Sequence, residues 1–313
     1  MNIKKLPFIL SILSLFTIFS SANADIKVVA SIKPIHSLVS YLMDGVGKPD
    51  LIVDGYASPH GFAMKPSHAK MLQNADLIFW VGEGLENFLE KPLKSIAKKA
   101  EKIELMEIKG LKKLEFRERN IFEGHDDHKD HGHKEDKHDD HHEHAHGEHD
   151  PHIWLDPMNA KVILSEMADH IIENDQENAS KYKANLKKAH KELDKLTKEV
   201  KSELNKDFKS IVFHDAYQYF EKRFDVNVLG AFTVNTDVLP GAEQLSEIRE
   251  VIEHEKVSCV FSEPQFNPDI IKAVAKDTNI KTGVIDPLGA TLNPGKTLYF
   301  DLIKNMSSSF KGC

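Results

Sequence analysis

Short apolar runs alternate with amphipathic stretches along most of this chain. Residues 26–31, 50–53 and 77–81 are rich in β-branched and aromatic side chains and read as strands. Between them, residues 34–43 and 66–74 carry apolar positions at helical spacing. Such alternation implies βαβ units and a largely parallel sheet. A helix over 159–172 follows, then a much longer one. Ala179, Tyr182, Leu186, Ala189, Leu193, Leu196, Val200 and Leu204 share one helical face, with lysine and glutamate filling the other. A helix of about 30 residues would span roughly 45 Å, longer than an ordinary crossover. It could serve as a coiled-coil dimer arm or as a strut. The βα alternation restarts directly after it, which favours the strut. Strands at 210–214, 226–230, 258–262 and 282–286 and a helix over 243–254 make up the second half. The expected fold class is α/β: two lobes with mainly parallel sheets joined by a long rigid helix. The boundaries fall at 25–174, 175–207 and 208–313.

The first residues follow a different pattern. Lys4 and Lys5 precede an apolar run from Leu6 to Phe19 and then Ala22-Asn23-Ala24. These are the three parts of a cleavable secretory signal, here 1–24, and the run is short for a membrane span. Without a cysteine near the cleavage site, a lipid anchor is excluded by residue type. Export to the periplasm as a soluble chain, without a membrane anchor, is the expectation.

Charge is concentrated in one place. Residues 123–150 hold 11 acids and 3 bases, and their net of −8 equals the formal charge of the whole chain. The balanced remainder argues against nucleic acid as a partner, since that needs a basic face. Within the same stretch lie ten of the 18 histidines: His125, His128, His131, His133, His138, His141, His142, His144, His146 and His149. Neutral imidazole is the commonest protein ligand for zinc and its first-row neighbours, and the interleaved acids add oxygen donors. A tract with almost nothing apolar cannot offset the entropy of folding. It is expected to be a flexible, solvent-exposed insertion that captures several metal ions weakly.

Cys259 and Cys313 are the two cysteines of the chain. In an exported protein they suggest one disulfide, closing a loop of about 55 residues, for which chain entropy gives roughly 4 kcal/mol. Metal binding is the alternative, although the pair lacks the close spacing of a structural zinc site.

Ligand sites in open α/β sheets gather at the C-terminal ends of strands. His60 follows the second strand in Ser58-Pro59-His60, and His214 ends the run Ile211-Val212-Phe213. Asp286 ends Gly283-Val284-Ile285, and His152 precedes the apolar Ile153-Trp154-Leu155. Three histidines and a carboxylate, two from each lobe, suit a tetrahedral zinc site between lobes. His36, His68, His170, His190 and His254 read as buried or capping groups, with His68 the nearest decoy.

Several motifs then carry a resemblance. They are Ser58-Pro59-His60 with Lys65-Pro66-Ser67, Asp150-Pro151-His152-Ile153-Trp154-Leu155-Asp156-Pro157, and Phe213-His214-Asp215-Ala216-Tyr217. To these add Leu239-Pro240-Gly241-Ala242-Glu243, Ser262-Glu263-Pro264-Gln265-Phe266 and Ile285-Asp286-Pro287-Leu288-Gly289. From about Ile26 to Cys313 the chain resembles the metal-specific substrate-binding proteins of ABC transporters, and among them the periplasmic zinc-binding members. The resemblance implies two pseudo-symmetric α/β lobes on a backbone helix, with metal between them. It also implies a histidine-rich insertion ahead of the second ligand and a Cys259–Cys313 disulfide. His60, His152 and His214 fall on the family's ligand histidines, and Asp286 on the carboxylate that binds metal in the manganese branch. A histidine at 214, where manganese and iron relatives carry glutamate, favours zinc.

The implied partners are a membrane permease with its ATPase and an accessory periplasmic metallochaperone, with the protein acting as a monomer. A stiff connecting helix implies modest lobe movement. Two rivals compete with transport. A zinc hydrolase would need a general base or nucleophile, which nothing marks, and His-Glu-x-x-His is absent. A metal buffer would use the insertion alone. An adhesin role, known for relatives on cell surfaces, fits poorly without a lipid anchor. No enzyme activity is expected.

Overall fold

The computed structural model describes residues 26–117, 119–122, 149–205, 207–234, 236 and 238–313. The signal segment and most of the histidine-rich insertion, His125 to His146, lie outside the described residues.

The first half is a four-stranded parallel sheet of β1 (Val28–Ile32), β2 (Asp50–Val53), β3 (Leu77–Trp80) and β4 (Glu101–Glu104), in the order β2-β1-β3-β4. Every residue of β1 and β3 is buried, as expected where helices cover both faces of a parallel sheet. Those helices include α1 (Lys33–Leu42), α2 (Pro66–Asn74) and α3 (Glu83–Ser95). α4 (Pro157–Asn174) begins where its chemistry dictates. The Asp156 carboxylate caps it by accepting from the Met158 N–H at 2.8 Å, and Pro157 occupies the first turn.

α5 (Ala179–Glu203) is 25 residues long, shorter than the sequence suggested, and spans about 37 Å. Tyr182, Ala189, Leu193, Leu196 and Val200 are its buried stripe. It packs on α1 and α4 from the first half and on α9 (Leu298–Gly312) from the end of the chain.

The second half repeats the first. β5 (Lys209–His214), β6 (Asn227–Thr233), β7 (Cys259–Ser262) and β8 (Lys281–Val284) form a parallel sheet in the order β6-β5-β7-β8. Around it lie α6 (Gln218–Phe224), α7 (Ala242–His254) and α8 (Asp269–Thr278). Cys259, buried in β7, is disulfide-bonded to Cys313 at the end of α9, with Cα atoms 5.8 Å apart. No helix among the described residues is long and apolar enough to cross a membrane.

The sequence pattern missed α3, β4, α6, α8 and α9. β4 reads Glu-Lys-Ile-Glu, with only Ile103 buried, so an edge strand of this kind has no apolar run to find. α3 contains Pro92 and a non-helical Glu86, which disturb its periodicity.

Polar contacts join the two halves. Arg223 of α6 grips Asp156 at the start of α4 through two hydrogen bonds of 2.6 Å. The Tyr219 hydroxyl accepts from the Leu114 N–H at 3.0 Å and donates to the Asp150 carbonyl at 2.8 Å. The segment before the insertion crosses to β6. There the Phe122 N–H donates to Leu229, and Asn120 accepts from the Ala231 N–H, both at 2.8 Å. Gly230 permits this approach, since a Cβ there would lie 2.7 Å from the Asn120 carbonyl oxygen. On the far side of the insertion, His149 bridges Glu115.

Candidate metal centre

A loop, a strand end and a turn bring three histidines together between the sheets. His60 lies in the loop after β2, its N–H donating to the Ser58 hydroxyl at 3.3 Å. His214 ends β5. His152 enters on the turn that follows the insertion. One oxygen of Asp150 organises that turn, accepting the His152 backbone N–H at 2.9 Å and the ring Nδ1–H at 2.7 Å.

His60, His152 and His214 each offer a ring nitrogen, and these nitrogens lie within 4.8 Å of one another. Their ring centroids form a near-equilateral triangle of 5.7, 5.7 and 5.3 Å. His152 and His214 are almost wholly buried, and His60 is half-buried.

Two carboxylates orient the buried pair. Asp150 holds Nδ1 of His152, and Glu263, at the end of β7, holds Nδ1 of His214, each at 2.7 Å. A carboxylate only accepts, so each Nδ1 carries the proton and each Nε2 presents its lone pair to the centre. The two Nε2 atoms are 3.4 Å apart. Bonds of 2.0–2.1 Å in a tetrahedron around zinc would place them about 3.3 Å apart. Two lone pairs facing at that distance repel each other until a cation lies between them. The donor set and its spacing therefore fit zinc.

Burial holds the His152 pKa well below its ordinary value, and nearby His214 pushes it the same way. For His214, burial opposes the charged form, but Glu263, with Asp215 and Asp150 behind it, outweighs this and raises the pKa. Burial pushes Asp150 up to about 7, against hydrogen bonding from His152 and the field of Arg117. Arg117 itself bonds Asp215 at 2.8 Å and Glu221 at 2.6 Å, tying the segment before the insertion to the corner that carries His214.

The cavity between the rings has a volume of about 10 Å³, room for one water-sized sphere. Its walls include Leu85, Trp154, Gln265, Phe266 and Leu288. Trp154 is fixed by its own indole N–H to the Pro287 carbonyl at 2.8 Å.

The fourth residue expected at the metal, Asp286, stands apart from the trio. Oδ1 accepts from Gln265 Nε2 and from the N–H groups of Leu288 and Gly289, and Oδ2 accepts from the Ala290 N–H at 2.6 Å. The other histidines have separate duties. His68 accepts the Lys65 N–H at 3.1 Å as part of the start of α2, and His36 meets the Pro49 carbonyl at 3.1 Å. His190 contacts the Lys161 carbonyl, His170 pairs with Glu101 and Glu166, and His254 ends α7. Of the histidines in the insertion, His149 is the one within the described residues. Asp150 and Glu263 were not assigned roles in the sequence. The signal was present in Asp150-Pro151-His152, where an aspartate two residues before a histidine can reach back to its ring. Glu263 lies 49 residues from His214 and offers no local clue.

A model of the family described as zinc-uptake complex component A, periplasmic, matches residues 28–313. The chain is similar to the high-affinity zinc uptake system protein ZnuA of Brucella abortus (strain 2308), at 46% identity over 303 residues covering 91% of each chain. It is also similar to the protein of that name from Yersinia pestis, at 35% identity over 313 residues, 99% of this chain and 97% of that one. A solved structure described as the crystal structure of ZnuA aligns with a TM-score of 0.74 and 22% identity, covering 92% of this chain and 100% of the other. At that identity the likeness speaks for the fold.

Proposed function

The chain belongs to the family of periplasmic component A of zinc-uptake complexes, and from that premise we propose that His60, His152 and His214 hold the zinc it carries. It is the periplasmic solute-binding component of a high-affinity zinc ABC uptake system, capturing Zn2+ between two lobes and delivering it to the membrane permease. The observation that carries the ligand assignment is the pair of carboxylates that turn Nε2 of His152 and His214 toward one point.

Capture proceeds by exchange of water for imidazole. The ion sheds its hydration shell as it enters a cavity with room for one water-sized sphere. Asp150 and Glu263 strengthen the imidazoles as donors, because each hydrogen bond leaves more electron density on the opposite nitrogen. Delivery requires the permease, with its ATPase, to disturb the site, since Arg223–Asp156 and Tyr219–Asp150 tie the halves together.

In this reading residues 1–24 are a cleaved export signal and the mature chain acts as a monomer. Residues 175–207 separate two lobes, with α9 returning from the second to pack on α1 and α5. The insertion collects several ions weakly, from solution or from an accessory periplasmic metallochaperone, and the inter-lobe site holds one tightly.

Zinc titration of metal-stripped protein tests the assignment. Deleting residues 125–149 should lower the stoichiometry and leave the tightest site nearly intact. The His60→Ala/His214→Ala double variant should do the reverse. Loss of the tight site on deletion, with the double variant unaffected, would refute it.

A further inference from the structure

Three imidazoles leave one position of a tetrahedral ion to fill. Asp286 is the carboxylate expected there, and its oxygens are already engaged by four N–H groups. One of those groups is the side-chain amide of Gln265, at 2.8 Å. An ionised carboxylate cannot donate, so the edge of Gln265 facing Asp286 must be its NH2. The Gln265 carbonyl oxygen is thereby turned the other way. That oxygen is buried and has no hydrogen-bond partner. Gln265 is also a wall of the cavity that the three histidines share.

A buried acceptor without a donor is unfavourable unless something else satisfies it. Here the residue that carries it borders a cavity built for a cation.

We propose that the Gln265 amide oxygen is the fourth contact of the bound ion, and that Asp286 acts as a positioning residue that sets the amide's orientation. The proposal rests on the reading of His60, His152 and His214 as ligands. It also bears on selectivity. An N3O set with a neutral amide oxygen suits zinc, whereas manganese favours carboxylate and water oxygens. Asp286, held by backbone N–H groups, withholds the carboxylate that would serve manganese.

The test uses the full mature protein with Zn2+, Co2+ and Mn2+ as probes, and compares Gln265→Leu, Gln265→Glu and His214→Ala. Gln265→Leu keeps the side chain's bulk and removes the oxygen. It should weaken zinc binding 10- to 100-fold, alter the visible absorption of the cobalt-loaded protein, and remove one oxygen from the zinc X-ray absorption spectrum. Gln265→Glu returns an oxygen donor. It loses the N–H that Asp286 accepts, so zinc should bind less tightly than to wild type but more tightly than to Gln265→Leu, with Mn2+ binding strengthened. If the leucine variant fails to fold, Mn2+ binding by the glutamate variant no stronger than by wild type would overturn the role of Gln265. An unchanged cobalt spectrum and an unchanged zinc affinity in Gln265→Leu would overturn the role of Gln265, leaving the three-histidine site standing if His214→Ala still abolishes tight binding. If His214→Ala also binds as wild type, the parent reading fails and the proposal with it.

Discussion

Asp150 accepts both the backbone N–H and the ring Nδ1–H of His152 with a single oxygen, at 2.9 and 2.7 Å. One side chain therefore sets the turn that delivers His152 and the tautomer in which it arrives. Arg117 and Gln218 act on the same carboxylate.

Asp150→Asn should weaken zinc binding by about 10- to 100-fold, the usual cost of losing a group that orients a metal ligand. The amide can turn its NH2 toward Nδ1, which would move the ring proton to Nε2 and block the lone pair. Competition with a chelator of known affinity measures this. His152→Ala should cost more than Asp150→Asn, and the opposite ranking would count against Asp150 as an orienting group.

Acid should release the metal. The pKa of His214 is raised by Glu263, Asp215 and Asp150 against the pull of burial, and a protonated imidazole cannot ligate. Zinc must therefore displace a proton from His214 at any pH below that raised value. Apparent affinity should be flat above it and fall about tenfold per pH unit below it, more steeply once further histidines protonate. Competition titrations from pH 8 to pH 5 test the sign, and an affinity that rises on acidification would exclude the assignment.

The Asp156–Arg223 pair should matter for stability more than for binding. Asp156 is buried, caps α4 and receives two 2.6 Å hydrogen bonds from Arg223. Arg223→Ala should cost roughly 2–3 kcal/mol, less than the full cost of breaking a buried pair because the guanidinium is partly exposed. Urea unfolding of the metal-free protein measures it. Zinc affinity should change little, since neither side chain contacts a ligand imidazole.

Much of this architecture is legible in the chain as written. Strands such as β1 and β3 are short β-branched and aromatic runs, and the stripe from Tyr182 to Val200 marks α5. Of the proposed ligands, His214 stands out because it ends the apolar run of β5, and His152 because it precedes Ile153-Trp154-Leu155; His60 is marked only by its place in the loop after β2. What the sequence conceals is whatever depends on distance in space. Glu263 becomes the partner of His214 only when β5 and β7 pair. The N–H groups of Leu288, Gly289 and Ala290 that surround the Asp286 carboxylate cannot be read from the residue types alone. α9 carries Leu298, Tyr299, Leu302, Ile303, Met306 and Phe310 at helical spacing, a pattern legible in the chain. β4 could not have been found by the same means.

The central claim, one ion held by His60, His152 and His214, is tested most directly by diffraction from zinc-loaded crystals at energies on either side of the zinc absorption edge. The anomalous difference should show one dominant peak about 2.0–2.1 Å from a ring nitrogen of each of the three histidines. A dominant peak elsewhere, with the three rings disposed as in the metal-free protein, would contradict the account.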